Sequence, residues 1–341
     1  MLYRLARTAL FQLDPETAHD VAMKAMCALG PATALLGAGA DRDEARTVMG
    51  IRFPNPVGLA AGFDKNGEYL DVLSALGFGH LEAGTVTPRP QPGNPKPRLF
   101  RLVEHDAIVN RMGFNNVGVE QFLRNVEKAS FRGVLGINIG KNFDTPIDRA
   151  ADDYLACLDA VYARATYVAV NISSPNTKNL RDLQSREKLD ELLGAVMGRR
   201  DALAAKHGAV KPLAVKIAPD LDDAQLDAVA ELAIRHRIDG LIATNTTLSR
   251  EGVEGHRYAN EAGGLSGRPV FAKSTAVLAA LAKRLDGKVP LIGVGGILSG
   301  EDAKAKIAAG ASLVQLYTGF IFRGPDLIAD VRRALKAPKA A

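Results

Sequence analysis

The stretch Tyr167-Val-Ala-Val-Asn-Ile-Ser-Ser-Pro-Asn-Thr177 reads as a short buried strand that runs out into a polar loop. The apolar, β-prone run stops at Asn171, and carboxamides, serines, a threonine and a proline follow at once. Proline fixes φ and donates no hydrogen bond, so Ser174-Pro175 holds the loop extended, while Asn171 and Asn176 each donate and accept. Such a loop suits a planar heterocycle. A helix-period segment near 185–207 follows, so the stretch opens one βα unit.

The same unit recurs along the chain. Further strand-like runs are Val57 to Ala60, Gly79 to Ala83, Gly133 to Ile137, Pro212 to Lys216, Gly240 to Ala243, Leu291 to Val294 and Leu313 to Leu316. Helical candidates lie near 67–76, 116–129, 150–163, 222–236, 269–285, 299–309 and 325–336. Eight βα units predict an α/β fold, a (β/α)8 TIM-type barrel over a doubly wound sheet. In a closed parallel barrel the strand ends share one rim. Asp64-Lys65, Thr85, Asn138, Asn171, Lys216, Thr244-Asn-Thr246, Gly295-Gly296 and Tyr317-Thr318 all follow strands and are expected to converge there.

The amino terminus reads differently. Leu2 to Gln12 and Pro15 to Leu29 carry helical periodicity, with Asp14 as N-cap, Pro15 at the first helical position and Gly30-Pro31 as a stop. Leu2, Leu5, Ala6, Ala9 and Leu10 form one apolar face against Arg4 and Arg7; Ala18, Val21, Ala22, Ala25, Met26 and Leu29 form another. Packing on the main domain and lying at a membrane interface both account for this hairpin. The expected division is a hairpin at 1–40, with a polar linker from Asp41 to Arg46, and a barrel over 41–341.

Composition narrows the function. The chain has 341 residues, 47% hydrophobic content and a net charge of +5. No long run of like charge supports nucleic-acid binding, and no stretch is apolar enough to span a membrane. Cys27 and Cys157 stand far apart, and the histidines form no ligand set, so neither a metal site nor a Ser/His/Asp triad is expected. The proline-rich run 87–97 reads as a stiff loop. Gly293-Val-Gly-Gly-Ile297 and Tyr317-Thr-Gly-Phe320 follow the seventh and eighth strands, where barrels commonly bind phosphate through backbone N–H groups and a helix N-terminus. Lys65 and Lys216 are ammonium groups at strand ends, each facing either an anionic ligand or a neighbouring carboxylate. Asn110-Arg-Met-Gly-Phe-Asn-Asn116 joins carboxamides to a glycine that permits close approach, or is a turn capping the next helix.

Taken together and in order, Ala60-Ala-Gly-Phe-Asp-Lys-Asn-Gly67, Asn110 to Asn116, Asn171 to Thr177, Lys216, Thr244-Asn-Thr246, Gly263-Gly-Leu-Ser-Gly267, Gly293 to Ile297 and Tyr317-Thr318 resemble the dihydroorotate dehydrogenase family. The likeness is to its membrane-associated, quinone-reducing class and covers the hairpin as well as the barrel. A soluble class carries cysteine at the position of Ser174 and has no such hairpin.

The resemblance implies FMN across the barrel mouth, its phosphate on Gly267, Gly296, Tyr317 and Thr318. Ala61, Gly62, Phe63, Asp64, Lys65, Thr85, Asn138, Asn171, Lys216 and Thr244 complete the implied cofactor set. Dihydroorotate is implied at Lys65, Asn110, Arg111, Met112, Gly113, Phe114, Asn171, Asn176, Asn245 and Thr246, with Ser174 as the base that takes the C5 proton while the C6 hydride goes to flavin N5. Ubiquinone or menaquinone is implied at the hairpin, with His19 and Arg101 against its head. The implied setting is peripheral, on the cytoplasmic side of the inner membrane, as a monomer. Two other readings of the residues remain at this point: a lyase or aldolase using Lys216 as a Schiff-base amine, and a non-catalytic surface binder of a phosphorylated ligand.

Overall fold

The computed structural model describes residues 2–37 and 44–336, so the expected boundary at 40/41 and most of the linker lie outside the described residues. Eight strands, β1 (Val57–Leu59), β2 (His80–Val86), β3 (Val134–Ile139), β4 (Tyr167–Asn171), β5 (Leu213–Ile217), β6 (Gly240–Ala243), β7 (Leu291–Val294) and β8 (Ala311–Leu316), pair in chain order. All pairings are parallel, and β8 returns to β1 through Val314–Val57 and Leu316–Leu59, closing the barrel.

Side chains alternate across a strand, and this parity sorts the core. Val134, Tyr167, Ala169, Ala214, Ile242, Ile292 and Leu313 pack together inside the barrel, joined by Val48 and Phe53 from a small antiparallel hairpin, Arg46–Val48 and Ile51–Phe53, that plugs one end. Their strand neighbours Leu135, Ile137, Val168, Val170, Leu213, Val215, Leu241 and Val314 pack outward against the helices. Continuing the inward parity toward the strand ends brings Asn138, Asn171, Lys216 and Gln315 to the upper layer, all buried.

Strands reach further than expected: Thr85, Asn138 and Asn171 are strand residues, not loop residues. The helix expected near 67–76 shortens to Leu70–Ser74, because the Asp64 carboxylate accepts the N–H groups of Glu68 and Tyr69 at 3.0 and 2.9 Å and holds the segment before it as a loop. Above the mouth lies an antiparallel sheet that periodicity did not reveal, formed by Leu99–Leu102, Ala107–Asn110 and Gly264–Gly267.

The amino-terminal helices α1 (Leu2–Leu10) and α2 (Pro15–Leu29) form as expected, with Asp14 accepting from Glu16 N and Thr17 N. Helix α1 sits on Thr318–Arg323 through Tyr3 Oη donating to Ile321 O and Arg7 donating to Phe322 O at 2.9 Å. Helix α2 buries Met23 and Ala18 yet leaves Val21 44% and Leu29 50% exposed, as α1 leaves Leu5 68% exposed, so a good part of the apolar face meets no protein.

Glu16 ties the hairpin to the barrel. Arg98 Nε and Nη2 donate to its two carboxylate oxygens at 2.9 Å each, and Arg98 itself is held by Pro92 O and Asn94 O of the proline-rich loop. Burial pushes the Glu16 carboxyl up, but Arg98, Lys96 and Lys65 outweigh it and hold it below its ordinary 4.5. A depressed folded value means that the pair stabilises fully above about 4.5 and loses this contribution as pH falls through the folded value. Glu16→Gln should weaken hairpin docking by about 1–3 kcal/mol, seen as faster proteolytic release of residues 1–37 at neutral pH; wild-type protein should show the same release only in acid.

Candidate active site

One cavity opens at the carboxyl ends of the barrel strands. Its walls include Ala61, Gly62, Lys65, Thr85, Asn171, Lys216, Thr244, Gly267, Gly296, Tyr317 and Thr318, and also Asn110, Met112, Gly113, Phe114, Ser174, Asn176, Asn245 and Thr246. Residues from every part of the barrel sequence therefore meet in one place. Gly295 joins them as expected, and Ser266, Gln315 and Val270 line it too and had not been singled out. Ser266 accepts from Thr318 Oγ1 at 2.8 Å, and its position within Gly263–Gly267 was the available signal.

Four residues expected at the mouth stand elsewhere, and Arg101, expected at the hairpin, faces the cavity there. Phe63 and Asp64 line a neighbouring cavity instead. Asn138 lies beneath the mouth, donating to Glu82 at 2.8 Å and accepting from Thr85 Oγ1 at 2.5 Å. Arg111 turns away, paired with Glu261 at 2.6 Å and stacked 4.7 Å from the centre of the Phe100 ring. Arg101 spends its donors on Leu10 O, Phe11 O and Leu13 O and stacks over Phe11, so it braces the hairpin turn while facing the second cavity.

The two lysines separate. Lys216 is buried 3.8 Å from the Glu82 carboxylate; burial lowers its pKa and Glu82 opposes that shift. Lys65 has no carboxylate within ion-pair distance among the described residues, and Asp64 is occupied by backbone N–H groups. Burial, against the pull of Glu16, brings the Lys65 ammonium down to about 8. An unpaired cation at a cavity wall is a place for an anionic ligand group.

Ser174 is buried on the loop after β4, its Oγ accepting from Asn176 N at 3.2 Å. Among the described residues no histidine or carboxylate hydrogen-bonds to it. Asn176 Nδ2 donates to Asn110 Oδ1 at 3.2 Å, and Asn245 Nδ2 to Ser173 Oγ at 2.9 Å, so the carboxamides from three segments are linked around the serine.

The same cavity has a glycine-rich wall. Gly267, Gly295 and Gly296 take φ of +94°, +105° and +75°, a region that favours glycine. Helix Phe271–Leu285 starts beside Gly296 with no side-chain cap, continuing the turn Arg268–Val270, whose carbonyl at Arg268 takes the Phe271 N–H. Thr246 Oγ1 and Gln315 Oε1 are buried without partners in the cavity wall. Glycines at positive φ, orphaned polar atoms, a buried lysine and the apolar Ala60, Val294 and Leu316 together fit a phosphorylated, planar, amide-rich cofactor such as FMN.

The sequence model of dihydroorotate dehydrogenase matches residues 44–338. The chain belongs to the dihydroorotate dehydrogenase family. A relative from Aromatoleum aromaticum named dihydroorotate dehydrogenase (quinone) is 61% identical over 334 residues, which is 98% of this chain and 95% of that one. Another of the same name from Paraburkholderia xenovorans is 60% identical over 337 residues, covering 98% and 99%. The solved structure of DHODH from Eimeria tenella in complex with ferulenol matches with a TM-score of 0.87 at 40% identity, over 94% of this chain and 90% of that chain. These relatives place the chain in the quinone-dependent class of dihydroorotate dehydrogenases, flavin enzymes of pyrimidine biosynthesis.

The second cavity of this dihydroorotate dehydrogenase family member, about 430 Å³, lies between hairpin and barrel and is lined by Ala6, Leu10, His19, Met23, Phe63 and Phe320 among others. Burial and the Lys65 charge press His19 down to about 4, so its ring is neutral at physiological pH. Gly62, Lys65, Met112 and Tyr317 line both cavities and form the partition between them.

A side chain at Gly296 would start 2.4 Å from Phe271 Cβ and 2.7 Å from Phe271 N, at a strained φ. Gly296→Val should therefore lower affinity for FMN by at least about tenfold in titrations of the apoprotein, while thermal unfolding stays cooperative.

Proposed function

We propose that the barrel mouth holds FMN and dihydroorotate together, and that the hairpin cavity receives the quinone that ends the cycle. The observation that carries this reading is the partition: a cavity rich in amides, hydroxyls and lysines and a largely apolar one share Gly62, Lys65, Met112 and Tyr317, so two substrates of different character can reach opposite sides of one wall. FMN, when bound, supplies the acceptor at N5 for the C6 hydride of dihydroorotate.

The chain's own groups do the rest. Lys65 offers its unpaired ammonium to the substrate carboxylate, and Asn110, Asn171, Asn176, Asn245 and Thr246 supply the alternating donors and acceptors that a cyclic imide requires. Met112, Gly113 and Phe114 close the wall beside them. Ala61, Gly62, Thr85, Asn171, Lys216 and Thr244 would face the ring system of the cofactor, and Gly267, Gly296, Tyr317 and Thr318 its phosphate. Lys216 favours negative charge at the ring edge it faces. Ser174 Oγ takes the C5 proton. An alcohol is a weak base, so the step depends on the buried loop around Ser174 and on the Lys65 charge in the same cavity.

Quinone entry follows from the hairpin's exposed apolar face. Leu5, Val21, Leu29 and Leu35 stay open, Arg7 accompanies them, and among the described residues no helix is long and apolar enough to cross a membrane. This arrangement suits peripheral attachment at the cytoplasmic face of an inner membrane, with residues 1–40 as the docking unit and 41–341 as the barrel. Ubiquinone or menaquinone would then meet neutral His19, with Arg101 bracing the turn above it.

An anaerobic visible spectrum tests the whole. The FMN-loaded wild type should bleach with dihydroorotate and recover with a short-chain quinone, whereas Ser174→Ala should keep its colour yet bleach at least about 100-fold more slowly. Loss of FMN in that variant would make Ser174 structural. Removal of residues 1–40 should spare bleaching and slow recovery; equal loss of both would overturn the hairpin's role as the quinone site.

A further inference from the structure

Arg181 lies outside the mouth cavity, in the turn Leu180–Gln184 that follows the Ser174 loop. Its guanidinium makes three separate bonds: Nε to Ser173 O at 3.0 Å, Nη2 to Thr246 O at 2.8 Å, and Nη1 to Asp220 Oδ2 at 2.8 Å. Asp220, on the loop after β5, also accepts from Leu248 N at 2.9 Å, from Thr247 Oγ1 and from Lys273 Nζ. Three rim loops thus converge on one ion pair. The Ser173 carbonyl shares a rigid peptide plane with the amide of Ser174, and the Thr246 carbonyl shares one with Thr247. A planar guanidinium that grips both carbonyls sets the spacing and tilt of those planes relative to each other.

We infer that Arg181, anchored by Asp220, is a positioning residue that holds the Ser174 loop and the Asn245–Thr246 loop at the separation needed for proton removal from a substrate lying between them. The inference rests on the assignment of Ser174 as base. Lysine cannot replace this fork, since one ammonium offers no fixed plane of donors. Burial alone would raise the Asp220 carboxyl, but bonds from Lys273, Thr247, Leu248 N and Arg181 bring it down to about 2, so the anchor stays charged through the working pH range.

The test uses the FMN-loaded, full-length enzyme and separates the two half-reactions. Arg181→Gln should slow flavin bleaching by dihydroorotate about 100-fold, the scale expected from a misplacement near 1 Å, with little change in the substrate concentration for half-maximal rate. Recovery with short-chain quinone and FMN content should match wild type. Arg181→Lys should recover only a small part of the loss, and Asp220→Asn should fall in the same half-reaction by less. Wild-type bleaching in both Arg181→Gln and Asp220→Asn overturns the inference, as does equal slowing of both half-reactions. Ser174→Ala measured alongside separates the claims: if it fails to bleach while Arg181→Gln bleaches normally, the clamp falls and the base stands. If Ser174→Ala bleaches normally, the base assignment falls.

Discussion

The carboxylate of Glu82, sealed inside the barrel, orders the polar layer above it. Its oxygens accept from Asn138 Nδ2 at 2.8 Å, Tyr167 Oη at 3.0 Å and Gln315 Nε2 at 2.7 Å, with Lys216 at 3.8 Å. An ionised carboxylate only accepts, so Asn138 must turn its amide nitrogen downward and its carbonyl upward. That carbonyl then takes Thr85 Oγ1 and Asn171 Nδ2, at 2.5 and 3.2 Å. Asn171, having turned its nitrogen to them, points its own carbonyl to Ser173 N and Ser173 Oγ. Ser173 Oγ in turn accepts from Asn245. One buried carboxylate thus sets the direction of the Asn138 and Asn171 amides and, through Ser173, of Asn245. Because each amide already has its partners below, a planar ligand meets a surface whose donors and acceptors are fixed beforehand, which reduces the cost of organising the site.

The same logic explains why the lysines differ in behaviour. Lys216 belongs to the Glu82 network and has a counter-charge in the ligand-free chain. Among the described residues Lys65 has none within ion-pair distance, and burial lowers its pKa. One lysine faces a carboxylate inside the barrel; the other stands at the wall between the two cavities. Burial keeps His19 neutral in the first place, and the Lys65 charge adds to it, since two buried positive charges facing one cavity would repel.

Much of this was legible because parity and period are sequence properties. The eight strands, the helix spans after them and the convergence of Lys65, Asn171, Ser174, Lys216, Asn245 and Gly296 at one rim follow from alternation in a closed parallel barrel. What stayed hidden depends on side-chain direction or on distant pairing. The mouth sheet joins Asn110 to Gly264, partners far apart in the chain, and no local pattern announces such pairing. Arg111 stands inside a motif that otherwise lines the cavity, but Glu261 and Phe100 claim its guanidinium. The cis peptides at Gly84-Thr85 and Ala243-Thr244 involve no proline and so leave no mark in the sequence. Glu82 itself, in a strand of buried neighbours, reads as an ordinary interruption of an apolar run.

The hairpin's sequence admitted packing on the main domain and lying at a membrane interface, and the geometry answers directly to the first. Met23 enters the core, and Glu16 is clamped by Arg98, which answers to packing on the barrel. Yet the face carrying Leu5, Val21 and Leu29 is bare. Full packing would have buried these residues, and a free membrane anchor would not have needed Glu16. A hairpin that must both seal a cavity against water and leave it open to an apolar molecule needs one bound face and one unbound one. The ion pair with Arg98 supplies the bound face without filling the space beneath, because it acts at the rim of the helix and not through the apolar stripe. The cavity of about 430 Å³ therefore persists between two well-fixed walls, which is what a reactant that arrives and leaves through lipid would require.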